Sequence, residues 1–141
     1  MEPTKPLNPA ANISATLTLL AISPDWEDRR SLESILDSSG WTVQGAPSIL
    51  AAAGLMQNKY SLILCDRDLP DGSWHDVFRQ TEGLETPPPV VVFSKNADRP
   101  FWAEVLNMGG FDVILKPFVK SEVTRVIGMA LRCFEASVAA A

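Results

Sequence analysis

Three residues with reactive or charged side chains each follow an apolar run of the sequence. Asp66 follows LILC, Ser94 ends VVVFS, and Lys116 follows DVIL. Apolar runs of this kind are typical of strands buried in a parallel sheet, and the carboxyl ends of parallel strands meet at one edge of the sheet. We therefore expect a carboxylate, a hydroxyl and an ammonium group to converge there.

These three groups suit phosphoryl transfer to a carboxylate. Asp66 would be the nucleophile. Ser94 would donate a hydrogen bond to a phosphoryl oxygen, and Lys116 would neutralise its charge. Mg²⁺ would complete the site because it shields the negative charges of donor and acceptor. The structural alternatives are a turn-capping aspartate, a strand-end serine and a solvated or ion-paired lysine.

Strand and helix patterns alternate along the chain. Strands are predicted at Thr16–Ile22, Trp41–Gln44, Ser61–Cys65, Val90–Phe93 and Asp112–Leu115. Helices are predicted at Pro24–Ser39, Ser48–Asn58, Ser73–Thr81, Pro100–Met108 and Ser121–Glu135. Ser23 is expected to cap the first helix, with Pro24 at its first position. Five strand–helix units with right-handed crossovers predict a three-layer α/β fold around a doubly wound, five-stranded parallel sheet.

A set of motifs in this order resembles the response-regulator receiver domains of two-component signalling: Asp66-x-x-x-Pro70, Gly72, Ser94 after an apolar strand, and Lys116-Pro117-Phe118. The resemblance covers Ala15 to Glu135 and implies the flavodoxin-like receiver fold. The first dozen residues carry three prolines and little apolar mass, so we expect a flexible N-terminal arm at 1–14, followed by a receiver-like domain at 15–135 and a C-terminal tail at 136–141. Because little of the chain is left over, a domain that stands alone without an output domain is expected.

The resemblance also implies roles for individual residues. Asp66 becomes the phosphoacceptor, Ser94 the switch hydroxyl and Lys116 the phosphate-contacting lysine, with a cis bond before Pro117. The expected partner is a histidine kinase or a phosphotransfer protein, and the domain itself is expected to signal rather than to act as an enzyme.

Two departures from the family pattern concern the metal and the switch. Receivers usually carry two acidic residues directly after strand one, where this chain has Ser23 and Pro24. Asp25 lies one residue out of step and is better explained as complementing the helix dipole, while Asp68 is a minority candidate for a metal oxygen. We therefore expect weak Mg²⁺ binding. In strand five, Val113 stands where the family often has an aromatic residue that turns inward on phosphorylation.

The composition bears on nucleic-acid binding, membrane insertion and cellular location. The formal net charge is −5 and the sequence pI about 4.8, which argues against non-specific nucleic-acid binding. No apolar stretch near the N-terminus is long enough to span a membrane. Cys65 lies inside an apolar run and Cys133 is its only companion, so a reducing, cytoplasmic setting is expected.

Other residues are interpreted as structural or as parts of an interface. His75 is expected at the surface or at a helix start, Trp74 next to the Asp66 loop, and Trp102 partly exposed as part of a partner surface. Two alternative functions stay open: a phosphorylation-independent pseudo-receiver that binds other proteins, and a small flavin or nucleotide enzyme. A homodimer is also left open, because the sequence does not reveal interface area.

Overall fold

A five-stranded parallel sheet forms the centre of the protein in a computed structural model that describes residues 17–140. Its strands are β1 (Thr18–Ile22), β2 (Thr42–Ala46), β3 (Leu62–Asp66), β4 (Val90–Ser94) and β5 (Asp112–Leu115). They lie in the order β2-β1-β3-β4-β5, and every neighbouring pair is parallel. The predicted sheet is confirmed, and the switch point of its strand order lies between β1 and β3.

Five helices connect and follow the strands, as predicted. They are α1 (Trp26–Asp37), α2 (Ile49–Leu55), α3 (Trp74–Glu82), α4 (Arg99–Asn107) and α5 (Lys120–Ala140). The helical backbone of α5 includes residues 136–140, which the sequence had assigned to a tail. The predicted arm at 1–14 lies outside the described residues. None of the helices within 17–140 has the length and apolar character that crossing a bilayer requires.

The start of α1 corrects one prediction. Asp25, not Ser23, is the N-cap, and its carboxylate accepts a hydrogen bond of 2.8 Å from the Glu27 amide. Ser23 instead continues the strand, because its amide donates to the Ala46 carbonyl at 2.9 Å beyond the end of the β1–β2 ladder. Its hydroxyl accepts from the Asp25 amide at 3.1 Å. A cap of this kind stabilises a helix by about 1 kcal/mol.

Two apolar layers cover the two faces of the sheet. Alternate strand residues point to opposite faces, so neighbours such as Leu64 and Cys65 belong to different layers. One layer receives α1 and α5, including Leu32 and Ile127. The other receives α2, α3 and α4 and contains Trp74, which is 2 % exposed. This packing confirms the three-layer arrangement and holds the carboxyl ends of the central strands in fixed positions.

A short antiparallel hairpin follows β3 and links the functional edge to α2. Its strands are Asp68–Leu69 and Gly72–Ser73. Between them, the Asp71 carboxylate accepts from the amides of Ile49 and Leu50, each at 3.0 Å. These hydrogen bonds lower the pKa of Asp71. Asp71 therefore caps a helix that begins earlier in the chain and ties the loop after β3 to it.

Candidate functional site

The three residues predicted to converge lie at the carboxyl edge of the sheet. Asp66 is the last residue of β3, Ser94 is the last residue of β4, and Lys116 follows the end of β5. The register pairs Asp66 with Phe93 and Ser94 with Leu115, so three adjacent strands end at the same level. The sequence runs LILC, VVVF and DVIL form parallel strands, and the carboxyl ends of parallel strands lie at one edge of the sheet.

Asp66 is nearly buried, with 9 % of its surface exposed, and makes two contacts. Its Oδ2 accepts a hydrogen bond of 3.1 Å from the Lys116 Nζ. Its Oδ1 accepts from the Asp68 amide at 3.3 Å. The carboxylate thus keeps an edge toward solvent while an ammonium group lies beside it, which suits a nucleophile that has to approach an anionic group.

Asp28 is a member of the site that the sequence reasoning missed. Its Oδ2 lies 2.7 Å from the Lys116 Nζ. This distance is shorter than the 3.1 Å between the Asp66 Oδ2 and the same Nζ. Asp28 is in the first turn of α1, three residues after the Asp25 cap. That spacing places it one turn along the helix from the cap, on the side that borders the strand ends. The acidic pattern DWED was the available signal, although it did not reveal the partner 88 residues away.

Lys116 therefore bridges two carboxylates. The exposed fractions of the side chains are 12 % for Lys116, 17 % for Asp28 and 13 % for Asp66. Burial lowers the pKa of Lys116, but hydrogen bonds and charge attraction from Asp28 and Asp66 outweigh it, so the net pKa is raised above its ordinary value. The ammonium is fixed in its charged form between the two acids.

Ser94 lies at the same edge without touching Asp66. Its hydroxyl accepts from the Asn96 amide at 3.2 Å and the residue is 7 % exposed. The Ser94 carbonyl accepts from the Lys116 amide at 2.9 Å, which extends the ladder past the strand. The peptide bond between Lys116 and Pro117 is cis.

The residues predicted to hold metal are not gathered around Asp66. Asp25 is exposed and its carboxylate caps α1. Asp68 is exposed in the hairpin, and only its amide reaches Asp66. Ser23 is fully buried and its hydroxyl is already hydrogen-bonded to the chain. Across residues 17–140, no group of three or more His, Cys, Asp or Glu side chains is placed to hold a metal ion.

The remaining predicted residues lie beside the site or below it. Val113 is 1 % exposed and belongs to the layer under α4, with no aromatic ring to reorient. Trp102 is half-buried, and its indole Nε1 donates to the Asp112 carboxylate at 3.2 Å. Trp74 lies in the core layer that receives α2, α3 and α4. Its indole stacks on His75 with 4.0 Å between ring centroids.

Two further side chains fix the surroundings of the acceptor. His75 lies at the start of α3, as expected, and its Nε2 is 2.7 Å from the Glu104 carboxylate of α4. Arg67, directly after Asp66, lies over the Phe101 ring at 4.0 Å and donates to the Asn96 carbonyl at 3.3 Å. These contacts join the loops after β3 and β4 to α4.

The comparisons with known proteins agree with this arrangement. The family model of the response regulator receiver domain matches residues 23–128, so the chain belongs to that family. It is a receiver domain of two-component signal transduction, as the sequence motifs predicted.

Among curated proteins, the chain is 25 % identical over 114 residues to the C4-dicarboxylate transport transcriptional regulatory protein DctD of Rhizobium meliloti, covering 80 % of this chain and 25 % of that protein. It is 26 % identical over 118 residues to the transcriptional regulatory protein FixJ of Bradyrhizobium diazoefficiens, covering 81 % of this chain and 56 % of that protein. The chain therefore spans a quarter to just over half of these relatives, and what they do as whole proteins does not transfer to it.

Solved structures support the fold. A two-component response regulator from Clostridium difficile superposes with a TM-score of 0.75 at 24 % identity, over 83 % of this chain and 97 % of that one. The signal receiver domain of a Luxo repressor protein from Vibrio parahaemolyticus gives a TM-score of 0.82 at 15 % identity, over 88 % and 96 %.

Receiver domains in general bind Mg²⁺ at the phosphorylation site. The donor set of this chain does not fit such an ion well. The two carboxylates that face the site both contact Lys116, and the places of the family's acidic pair carry a buried serine and a proline. Mg²⁺ requires a near-octahedral oxygen shell that usually includes one or two carboxylates, and here neither of those two is free of an ammonium partner.

Proposed function

We propose that the domain accepts a phosphoryl group on Asp66 from a phosphohistidine of a histidine kinase or a phosphotransfer protein. The observation that carries the proposal is the Lys116 ammonium 3.1 Å from the Asp66 carboxylate at the carboxyl edge of the sheet. This group would reduce the repulsion between the carboxylate and the incoming phosphoryl oxygens.

The transfer itself needs little covalent chemistry from the protein. An Asp66 Oδ forms a bond to phosphorus while the bond between phosphorus and the donor nitrogen breaks. The nitrogen keeps the bonding electrons and takes a proton from water. Lys116 would stay with the anionic phosphoryl oxygens, and Ser94 would turn its hydroxyl from the Asn96 amide to donate to one of them.

A protein partner fits the rim of this edge. Three large apolar side chains are exposed where helices follow the strand ends: Trp26 at 58 %, Leu50 at 78 % and Val119 at 59 %. Exposed apolar side chains around a charged centre favour a protein interface. A second surface includes Trp102 together with Leu106, which is 50 % exposed on α4, and we propose it for an output partner or a second copy.

We infer that the domain acts as a signalling module in the cytoplasm. Receiver domains are signalling modules rather than classical enzymes. Cys65 is free and buried, and burial beside the charge of Asp66 raises the pKa of its thiol well above the ordinary value, so it acts as a small apolar side chain. The pseudo-receiver alternative would keep these surfaces without the phosphoryl group.

Phosphorylation is tested with phosphoramidate as a small donor, with and without Mg²⁺, followed by intact mass. We expect one added phosphoryl group on the native chain and none on Asp66→Asn. Asp68→Asn is the matched control, because it removes an exposed carboxylate two residues away. Addition to the Asp66→Asn variant would refute the assignment, and no addition to any protein would favour the pseudo-receiver.

A further inference from the structure

We propose that Lys116, held by Asp28, is the resident cation of this site and keeps divalent metal ions out of it. Two carboxylates and one ammonium group meet at the strand ends, with N–O distances of 2.7 Å and 3.1 Å. The inference concerns the site of the proposed phosphorylation, but it describes the unphosphorylated protein and is tested without a phosphoryl donor.

The ammonium competes with a metal ion for the same oxygens. A divalent ion at Asp66 would have to share the carboxylate with a positive charge that lies within hydrogen-bond distance. Repulsion between the two cations is strong at such a distance, because the three side chains are between 12 % and 17 % exposed and water screens them only partly.

Asp28 is the positioning residue in this arrangement. It makes the shorter of the two contacts to the Lys116 Nζ and reaches it from α1, whereas Asp66 reaches it from the end of β3. An ammonium bound only to Asp66 would be able to swing away and leave that carboxylate to a metal. With Asp28 as a second anchor, leaving requires two hydrogen bonds to break.

Asp28 also provides a carboxylate that the residues directly after β1 do not. The strand-end positions Ser23 and Pro24 provide no carboxylate, and the exposed Asp25 is used as a helix cap. One turn further along α1, Asp28 returns a carboxylate to the site, but it faces the lysine. Without the lysine, Asp28 and Asp66 would be two uncompensated carboxylates around one point, which is an arrangement that favours a divalent ion.

The test is direct binding of Mn²⁺, followed by the electron paramagnetic resonance signal of the free ion and repeated with Mg²⁺ by calorimetry. The proteins are the native chain, Lys116→Met, Lys116→Met with Asp28→Asn, and Lys120→Met. Lys120→Met is the matched control, because it removes the same charge from an exposed position at the start of α5.

We expect Lys116→Met to tighten the Mn²⁺ dissociation constant by about tenfold or more. Lys120→Met should change it by less than about twofold, since an exposed charge is screened. Adding Asp28→Asn to Lys116→Met should remove most of the gain. Equal affinities for Lys116→Met and Lys120→Met would overturn the exclusion, and a gain that survives Asp28→Asn would overturn the placing of the Asp28 carboxylate beside Asp66 at the metal position.

Thermal unfolding of each variant checks that it is folded. If Lys116→Met does not fold, Lys116→Gln replaces it, because the amide keeps hydrogen bonds to the carboxylates and removes only the charge. The same increase in affinity is expected. Failure of phosphoramidate to modify Asp66 would leave these binding results unaffected, so the two proposals fail separately.

Discussion

The Asp28–Lys116 pair should couple strongly in folding stability, and a double-mutant cycle measures this coupling. The variants are Asp28→Asn, Lys116→Met and the double variant. At an N–O distance of 2.7 Å the Coulomb attraction comes to about 6 kcal/mol for an effective dielectric constant of about 20. Removing both groups from water costs several kcal/mol, so the net coupling expected is about 1–3 kcal/mol.

Urea unfolding of the four proteins, monitored by tryptophan fluorescence, gives the free energies of unfolding for the cycle. The pair Asp76–Arg79 provides a reference with a similar N–O distance of 2.8 Å, but its side chains are 45 % and 64 % exposed. We expect a coupling of about 0.2–0.5 kcal/mol there. A coupling for Asp28–Lys116 no larger than this reference would refute the claim that Asp28 anchors the lysine.

Two further predictions concern the pH dependence of folding stability. The folded-state pKa of Lys116 is raised above 10.5, so its contribution is complete below that pH and is lost as the pH rises through the folded value. As the pH rises through this range, the free energy of unfolding should therefore fall more steeply for the native chain than for Lys116→Met. The folded-state pKa of Asp71 is lowered below 3.8, so its contribution is present above that pH and is lost as the pH falls. Asp71→Ala should lower the free energy of unfolding at neutral pH, and its urea midpoint should fall less than that of the native chain as the pH is lowered through the acid range. Asp68→Ala removes an exposed carboxylate and should leave the stability at neutral pH nearly unchanged.

The sequence was sufficient to predict the sheet because its apolar runs are unambiguous. LLAI, LILC and VVVF are buried on both faces, and such runs are typical of strands in a parallel sheet that helices cover on both sides. Once the strands were placed, Asp66 and Lys116 had to lie at one edge. Their contact is a consequence of topology, which the sequence pattern does define.

The start of α1 was predicted wrongly because a contact with another strand overrode the local signal. Ser23 and Pro24 have the residue types of an N-cap and a first helical residue. The outcome was decided by β2, since the Ser23 amide donates to the Ala46 carbonyl and holds the chain extended for another residue. That contact joins residues from different elements, so the propensities of the residues around Ser23 do not predict it.

The contacts of Asp28 and Asp71 were not predicted from the sequence, for the same physical reason. Each is a carboxylate in a polar segment, where capping its own turn is the ordinary expectation. Asp28 binds a lysine 88 residues further on, and Asp71 caps a helix that begins 22 residues earlier. The side chain that a surface carboxylate contacts depends on the packing of whole elements, which is established only after the fold is formed.

The position of Asp28 changes what the substitutions at Ser23 and Pro24 mean. Loss of two acids beside Asp66 would by itself leave a site with one carboxylate and one lysine, close to neutral. With Asp28 the site holds two carboxylates and one ammonium group, so it keeps a net negative charge. A phosphoryl group on Asp66 would add further negative charge and would draw Lys116 away from Asp28. The Asp28 carboxylate would then lose its partner in the partly buried site, so phosphorylation and release of the Asp28–Lys116 contact should be linked even though Val113 has no ring to turn.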